Sequence, residues 1–386
     1  MMPARLAACA AVMLGLAGGA HAVQDCELDG QPINVNNGNA TAGKTGLIRC
    51  KDRDSGQVRR EQQIQNGVYM GLVRYYQEGK LFKEHHVNAQ GNMDGPAREF
   101  APTGRVVRES VYANSNEVGL VRVFYPGGAR RRVAFNGEAG REVASAEFTE
   151  AGQLSALRCG DKPVLAPAFD DARACGFSGG PSQVELFDGK GALRQRVTYA
   201  AGVRQRWESL YDNGQPESSS EIAGDQSVAR RFWPGGVKRQ EIYSLVLDRR
   251  TVRQRELTFS ERGTLVREQR WSPEGIPTGD DSFYMNGQPR SKSAWNGSGE
   301  QRVVEIAEFY DSGQRASVGR FRAAPRGGAT MAMGTHQRFG EHGALVAETT
   351  YDDKGRATRE RAWDDAGKLL RDDEVFEDGS RKAYAK

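Results

Sequence analysis

Between residues 71 and 154, short apolar runs alternate with polar, glycine-bearing stretches at a fixed interval of 24 residues. Gly71, Gly95 and Gly119 open the runs GLVRYYQEGKLF, GPAREFAPTGRVV and GLVRVFYPGGARR. In each, an aromatic residue stands four places before a glycine: Tyr75 and Gly79, Phe100 and Gly104, Phe124 and Gly128, then Phe148 and Gly152. Apolar and polar positions alternate within runs, as at Val133 and Phe135, Val197 and Tyr199, or Val304 and Ile306 around Glu305. A period of two puts apolar side chains on one face of a strand and polar ones on the other. Two such runs separated by a short glycine-bearing loop read as a β-hairpin. The glycine frequency and the short clusters of Val, Phe, Tyr and Arg count against helix. Each 24-residue unit is therefore expected to hold a strand ending in the aromatic, a tight turn (YYQEGKL), a return strand and a looser turn (NAQGNMDG). Self-similarity at a fixed period marks a repeat architecture.

The same signature resumes further on, with Phe187 and Gly191, Leu210 or Tyr211 and Gly214, Phe232 and Gly236, Phe259 and Gly263, Phe283 and Gly287, and Phe309 and Gly313. After Phe339 and Gly343 the interval halves, at Tyr351 with Gly355, Trp363 with Gly367 and Phe376 with Gly379. Twelve residues make one strand and one turn, so the halving supports the hairpin reading. Residues 155–183 lose the rhythm and read as a stapled insertion or joint between a first array over 67–154 and a second over 184–386. The stretch Gly319 to Gly334 loosens into an expected exposed loop. Residues 23–66, polar and rich in Asn and Gly, read as a disulfide-stapled cap on the first repeat, where a bare strand edge would otherwise be exposed.

Residues 1–22 look like a cleaved signal peptide: Arg5 gives a positive start, Leu6 to Ala17 an apolar core, and Ala20-His21-Ala22 a small-x-small cleavage pattern. Cys9 falls too early within the apolar core to serve as a lipoprotein cysteine. The expectation is an exported protein, periplasmic or secreted. Removing Arg5 takes the formal net charge from +4 to +3, and the 27% of charged residues are of mixed sign along the chain. That distribution, with export, argues against a nucleic-acid partner. Glycine makes up 47 of 386 residues and only 38% are hydrophobic. Many turns and a thin core suit an extended repeat array better than a compact domain.

Four cysteines remain after the leader: Cys26, Cys50, Cys159 and Cys175. An even count in an oxidising compartment reads as two disulfides with three possible connectivities, and sequence proximity favours Cys26 with Cys50 and Cys159 with Cys175. Zinc is the rival reading. No Cys-x-x-Cys pair and no nearby histidine support it.

The repeated G-x-x-x-x-aromatic-x-x-x-G unit and the copies YDNGQPES, FYDSGQRAS and FYMNGQPRS resemble the variant MORN repeats of bacterial antitoxin-like proteins. YDDKGRATRE and WDDAGKLLRD are also similar to the YD repeats of Rhs-type proteins. The resemblance spans most of residues 67–380. It implies an all-β fold, an elongated, open, single-layer antiparallel sheet of tandem hairpins. It also implies a toxin-antitoxin or immunity role, or a lipid-binding or scaffold role.

Candidate chemistry is sparse. The repeat aromatics could stack a ligand, although cross-strand aromatic pairs are also how a thin sheet makes a core. His85 and His86 are neighbours in a strand and so point to opposite faces. No Ser, Cys or His context offers a nucleophile, base and orienting group, so no enzyme activity, cofactor or metal is expected. Two charge features are candidate contacts. Arg130, Arg131 and Arg132, with Arg230, Arg231 and Trp233, suit an acidic partner or anionic lipid at the membrane periphery. Asp352, Asp353, Asp364, Asp365, Asp372 and Asp373 form an acidic strip suited to a basic toxin surface, without the ordered spacing of a calcium loop. The expected function is an exported immunity or antitoxin-like protein that neutralises a secreted effector toxin by binding it. The alternative is an envelope scaffold that binds lipid headgroups or peptidoglycan.

Overall fold

The computed structural model describes residues 24–247, 250–323 and 329–385, so the expected signal peptide lies outside the described residues. The fold is all-β, 61% strand and 3% helix, in open antiparallel sheets of hairpins with no closed barrel. The chain divides into two compact units, one ending at Gly152 and one beginning at Gln153. In each sheet nearly every strand pairs with its neighbours in sequence. The exception is at the start of the first unit, where Gln24–Leu28 lies between Gln31–Ile33 and Gly46–Asp52. The second unit holds a meander of seventeen strands from Ser182–Phe187 to Arg381–Ala385.

The aromatic-to-glycine interval has a local cause. Phe100, Phe124, Phe148, Phe187, Phe232, Phe259, Phe283, Phe309 and Phe339 are each the last residue of a strand. In the turn that follows Phe283, Tyr284 N–H donates to the Gln288 carbonyl at 2.8 Å and Gly287 N–H donates to the Tyr284 carbonyl at 2.9 Å. Gly287 has φ +86°. A type I turn closed by a left-handed residue, with the register shifting at the strand end, is the three-residue hairpin loop with a glycine bulge. The same pair of bonds recurs from Ala101/Gly104 to Phe376/Gly379. The glycine is thus fixed by backbone conformation, and the aromatic by its place before the bulge.

Side chains then tie several turns to the next turn at the same end of the sheet. Tyr211 Oη donates to the Phe232 carbonyl at 2.8 Å, Tyr284 Oη to Phe309 at 2.9 Å and Tyr310 Oη to Phe339 at 2.8 Å. Asn213 and Asn286 donate from Nδ2 to Pro234 and Asp311 carbonyls, while their Oδ1 atoms accept the N–H of Gln215 and Gln288. The Tyr-x-Asn-Gly-Gln copies are therefore a hydrogen-bonded rail along the turns.

The first unit has two chemically distinct faces. On one, Glu27, Arg49, Glu61, Arg74, Glu84, Arg98, Glu109 and Arg122 stand directly across from one another on successive neighbouring strands. Their ion pairs run from 2.9 Å (Arg49–Glu61) to 3.8 Å (Arg98–Glu109). Opposite charges directly across a ladder stabilise the register. The other face carries a buried row, Ile48, Gln62, Val73, His85, Ala97 and Ser110, also in direct register.

Both disulfides form as proximity favours: Cys26–Cys50 joins directly paired strands, and Cys159–Cys175 closes a segment of the second unit. That segment builds its own small core. Leu165, Asp171 and Cys175 are buried, and Asp171 Oδ2 accepts the N–H groups of Val164 and Leu165 at 2.7 and 3.0 Å. It packs on the first hairpin of the second unit, where Tyr199 Oη donates to the Leu157 carbonyl and Leu154 and Leu157 meet Leu186 and Val197. The expected loop over 319–334 is corrected. Arg315–Ala323 and Ala329–Phe339 are paired strands, Phe321 opposite Ala332 and Arg322 opposite Met331, and only 324–328 lie outside the described residues. Gly319 belongs to the strand because His336 lies over it: a Cβ there would meet Nδ1 at 2.8 Å. A glycine inside a strand often marks such a close approach.

Candidate functional site

The turns place cations on aromatic rings. Three places before the turn glycine stands an aromatic, and three places after it an arginine folds back over that ring: Arg131 over Tyr125 (6.0 Å), Arg239 over Trp233 (4.6 Å) and Arg290 over Tyr284 (5.9 Å). A second set reaches across to the strand-ending aromatic of the next hairpin, Arg130 over Phe148 (5.5 Å) and Lys238 over Phe259 (5.5 Å). Lys292 reaches Phe309 in the same way (5.9 Å). The guanidinium groups of Arg131, Arg239 and Arg290 belong to exposed residues while their rings are half-buried. An arginine held in place by an aromatic loses little further rotamer entropy on contact with a partner, and such pairs are common at binding hot spots.

The residues singled out from sequence divide accordingly. Arg130 and Arg131 belong to this stacked set, but Arg132 turns to Glu142 and Glu147. Arg230 is bonded to the buried Glu241 at 2.7 Å, Arg231 is exposed, and the ring of Trp233 is covered by Arg239 rather than by either of them. The acidic strip is largely occupied internally. Asp352 Oδ1 accepts the N–H groups of Lys354 and Arg356, and the Arg356 backbone bond, helped by its guanidinium against the opposing effect of burial, holds the carboxyl below the usual range. Asp364 closes its turn on Ala366 and Lys368 in the same way. Asp372 is buried against Arg359, Asp373 lies 3.4 Å from Arg371, and Asp353 and Asp365 are exposed. Nine strands separate the Arg230 strand from the Ala357–Trp363 strand that follows Asp352 and Asp353, so the basic and acidic groups do not meet. Sequence reading missed Arg239, Arg290 and Lys238, although the aromatic-x-x-Gly-x-x-Arg spacing carries the first two.

A second site lies on the first unit. A cleft of about 590 Å³ is lined by Gln62, Tyr69, Val73, Tyr75, His85 and Met93, with Arg60 at the rim. His85 is 8% exposed and stacks on Tyr75, centroids 5.7 Å apart and planes at 23°. Its Nδ1 has no hydrogen-bond partner. Burial, reinforced by Lys83, Arg60 and His86, lowers its pKa and so favours the neutral ring. His86 faces the other way, its Nδ1 3.1 Å from the Pro96 carbonyl. Among the described residues no cluster of His, Cys, Asp and Glu could hold a metal ion.

Fold and turns together define a tandem β-hairpin repeat protein. No family model and no curated protein matches the chain. Solved structures similar to it include Tc toxin chains. The crystal structure of TcdB2-TccC3-TEV is 11% identical, covers 93% of this chain and 21% of its own, and has a TM-score of 0.18. A Photorhabdus luminescens Tc holotoxin pore is 12% identical, covers 88% of this chain and 20% of its own, with a TM-score of 0.13. The chain thus spans about a fifth of the length of these structures. At such TM-scores the likeness carries no argument about function.

Proposed function

We propose that the protein acts by binding another protein, and that its partner is a secreted effector toxin whose active site it covers, as an immunity protein does. The observation that supports this reading is the recurrence of ring-supported, exposed arginines on turns, at Arg239 and Arg290 in the second unit and Arg131 in the first. Repeated cationic anchors on hairpin turns suit a broad protein contact. The two disulfides fit an oxidising compartment, where a secreted effector would be met. No enzyme chemistry or cofactor is proposed. Co-expression with an effector encoded beside the chain should give an equimolar complex and rescue intoxicated cells. Failure of both with every neighbouring secreted protein would remove the proposal.

The same arginines favour a second reading, an envelope scaffold held to anionic lipid headgroups. Sedimentation with anionic vesicles that weakens as salt rises, with no protein partner, would select it.

A further inference from the structure

Most cations on the first unit's two faces are ion-paired, Arg108 with Glu117 on the cleft face included. On the ladder face each arginine from Arg49 to Arg122 has a glutamate within ion-pair distance. On the cleft face, Arg60 has no carboxylate partner among the described residues. Its guanidinium lies 5.6 Å from the Tyr75 ring centroid and donates to Gln62 Oε1. Lys83, two places from His85 on the same strand and across from Tyr75, adds positive charge, with Glu99 standing across from it on the next strand. Deeper in, His85 presents a buried ring nitrogen with no partner. A buried polar atom left unsatisfied is destabilising, so a ligand that satisfies it recovers part of that cost. The walls between are mixed: Val73, Tyr69, Tyr75 and Met93 supply apolar and aromatic surface, and Gln24, Asn36 and Gln62 polar surface. The volume falls within the range of small-molecule sites, and the polar part of the lining suits a ligand that carries polar groups as well as an apolar body.

We propose that this cleft binds a small organic acid, its carboxylate held at the rim by Arg60, its apolar body lying along Tyr75 and Val73, and a neutral hydrogen-bonding group at the far end meeting His85 Nδ1. The inference is independent of the protein-binding reading and uses none of the stacked turn arginines. The imidazole, its neutral form favoured by its surroundings, can donate or accept at Nδ1 according to tautomer, so a hydroxyl suits it in either role.

The test uses the full chain with its disulfides formed and its histidine rings isotopically labelled, titrated with 4-hydroxyphenylacetate and followed by NMR. The His85 ring signals are expected to shift saturably, with a Kd on the order of 1 mM for a probe of this size. Phenylacetate, which lacks the hydroxyl, and 4-hydroxyphenylacetamide, which lacks the charge, should each bind about fivefold or more weakly, in line with loss of one hydrogen bond to a buried or charged group. Arg60→Gln, at an exposed position, should weaken the acid by a similar factor and leave the amide unchanged. His85→Gln, titrated through the ligand's own NMR signals since the His85 ring is gone, should abolish the preference for the hydroxyl. If that variant fails to fold, the phenylacetate comparison reads the same contact. No saturable shift at about ten times the expected Kd would overturn the proposal. So would equal affinity for acid and amide, or an Arg60→Gln variant that binds the acid as well as the parent.

Discussion

At the scale of single residues, the turn glycines fall into two kinds with different consequences. Gly287 has φ +86° and open space beyond its Cα, so Gly287→Ala carries only backbone strain, about 1 kcal/mol. Gly202 also has a positive φ, but a Cβ there would run into the Gly160 carbonyl and the Phe177 ring of the stapled segment. Gly202→Ala should therefore cost several-fold more in urea unfolding than Gly287→Ala. Equal losses would mean that the segment does not press on that turn. The buried carboxylates make a second prediction. Burial pushes the Glu241 carboxyl upward, but hydrogen bonds from Lys238 and Arg230 outweigh it and leave the pKa below its ordinary 4.5. Glu61 behaves likewise, burial being outweighed by Tyr76, Arg49 and Arg74, and Tyr76 itself, by burial and its bond to Glu61, is pushed up to about 12. A carboxylate depressed in the folded state stabilises it fully above the unfolded pKa and loses that contribution as pH falls through the folded value. Thermal midpoints should thus hold down to roughly pH 4.5 and then fall. Glu241→Gln should cost about 1–2 kcal/mol at pH 7 and flatten the acid limb, the partners being too exposed for more.

At the scale of elements, the hairpin is held by its own turn and by the turn beside it. Removing one tyrosine hydroxyl, as in Tyr284→Phe, should cost about 1 kcal/mol. Removing those of Tyr211, Tyr284 and Tyr310 together should raise amide exchange at Phe232, Phe309 and Phe339 and their turns while leaving mid-strand amides protected. Cys159 and Cys175 close a loop with a sequence separation of 16. Replacing both with serine should lower stability by about 3 kcal/mol in urea titration. This is also the scale at which the sequence was most legible. The strand-turn rhythm could be read because one backbone conformation, a left-handed glycine after a type I turn, must recur in every hairpin. The charge ladder could not. Glu61, Arg74 and Glu84 meet only once the register is known, and bulges such as those at Gln62/Ile64 and Tyr75/Tyr76 shift it in ways that alternation along one strand does not reveal. The strands around Gly319 were hidden for a related reason: their glycine answers to His336 packed across from it, not to a turn. Of the candidate site, Arg130 and Arg131 were visible as a run. Arg239 and Arg290 were not, because their importance lies in folding back over Trp233 and Tyr284.

At the scale of the whole molecule, part of the charge that looked scattered along the chain is ordered into cross-strand ion pairs, as in the ladder from Glu27 to Arg122. Arg131, Arg239 and Arg290 are exposed and held on rings, and these are the residues proposed to hold a protein partner. The most direct measurement is affinity capture from the host envelope with quantitative mass spectrometry, comparing the parent chain with a variant carrying Arg131→Gln, Arg239→Gln and Arg290→Gln. These exposed changes should leave the unfolding midpoint nearly unchanged. One secreted protein should be retained in equimolar amount by the parent and largely lost from the variant. Retention of only lipid or cell-wall material, or equal retention of the same protein by both chains, would contradict it.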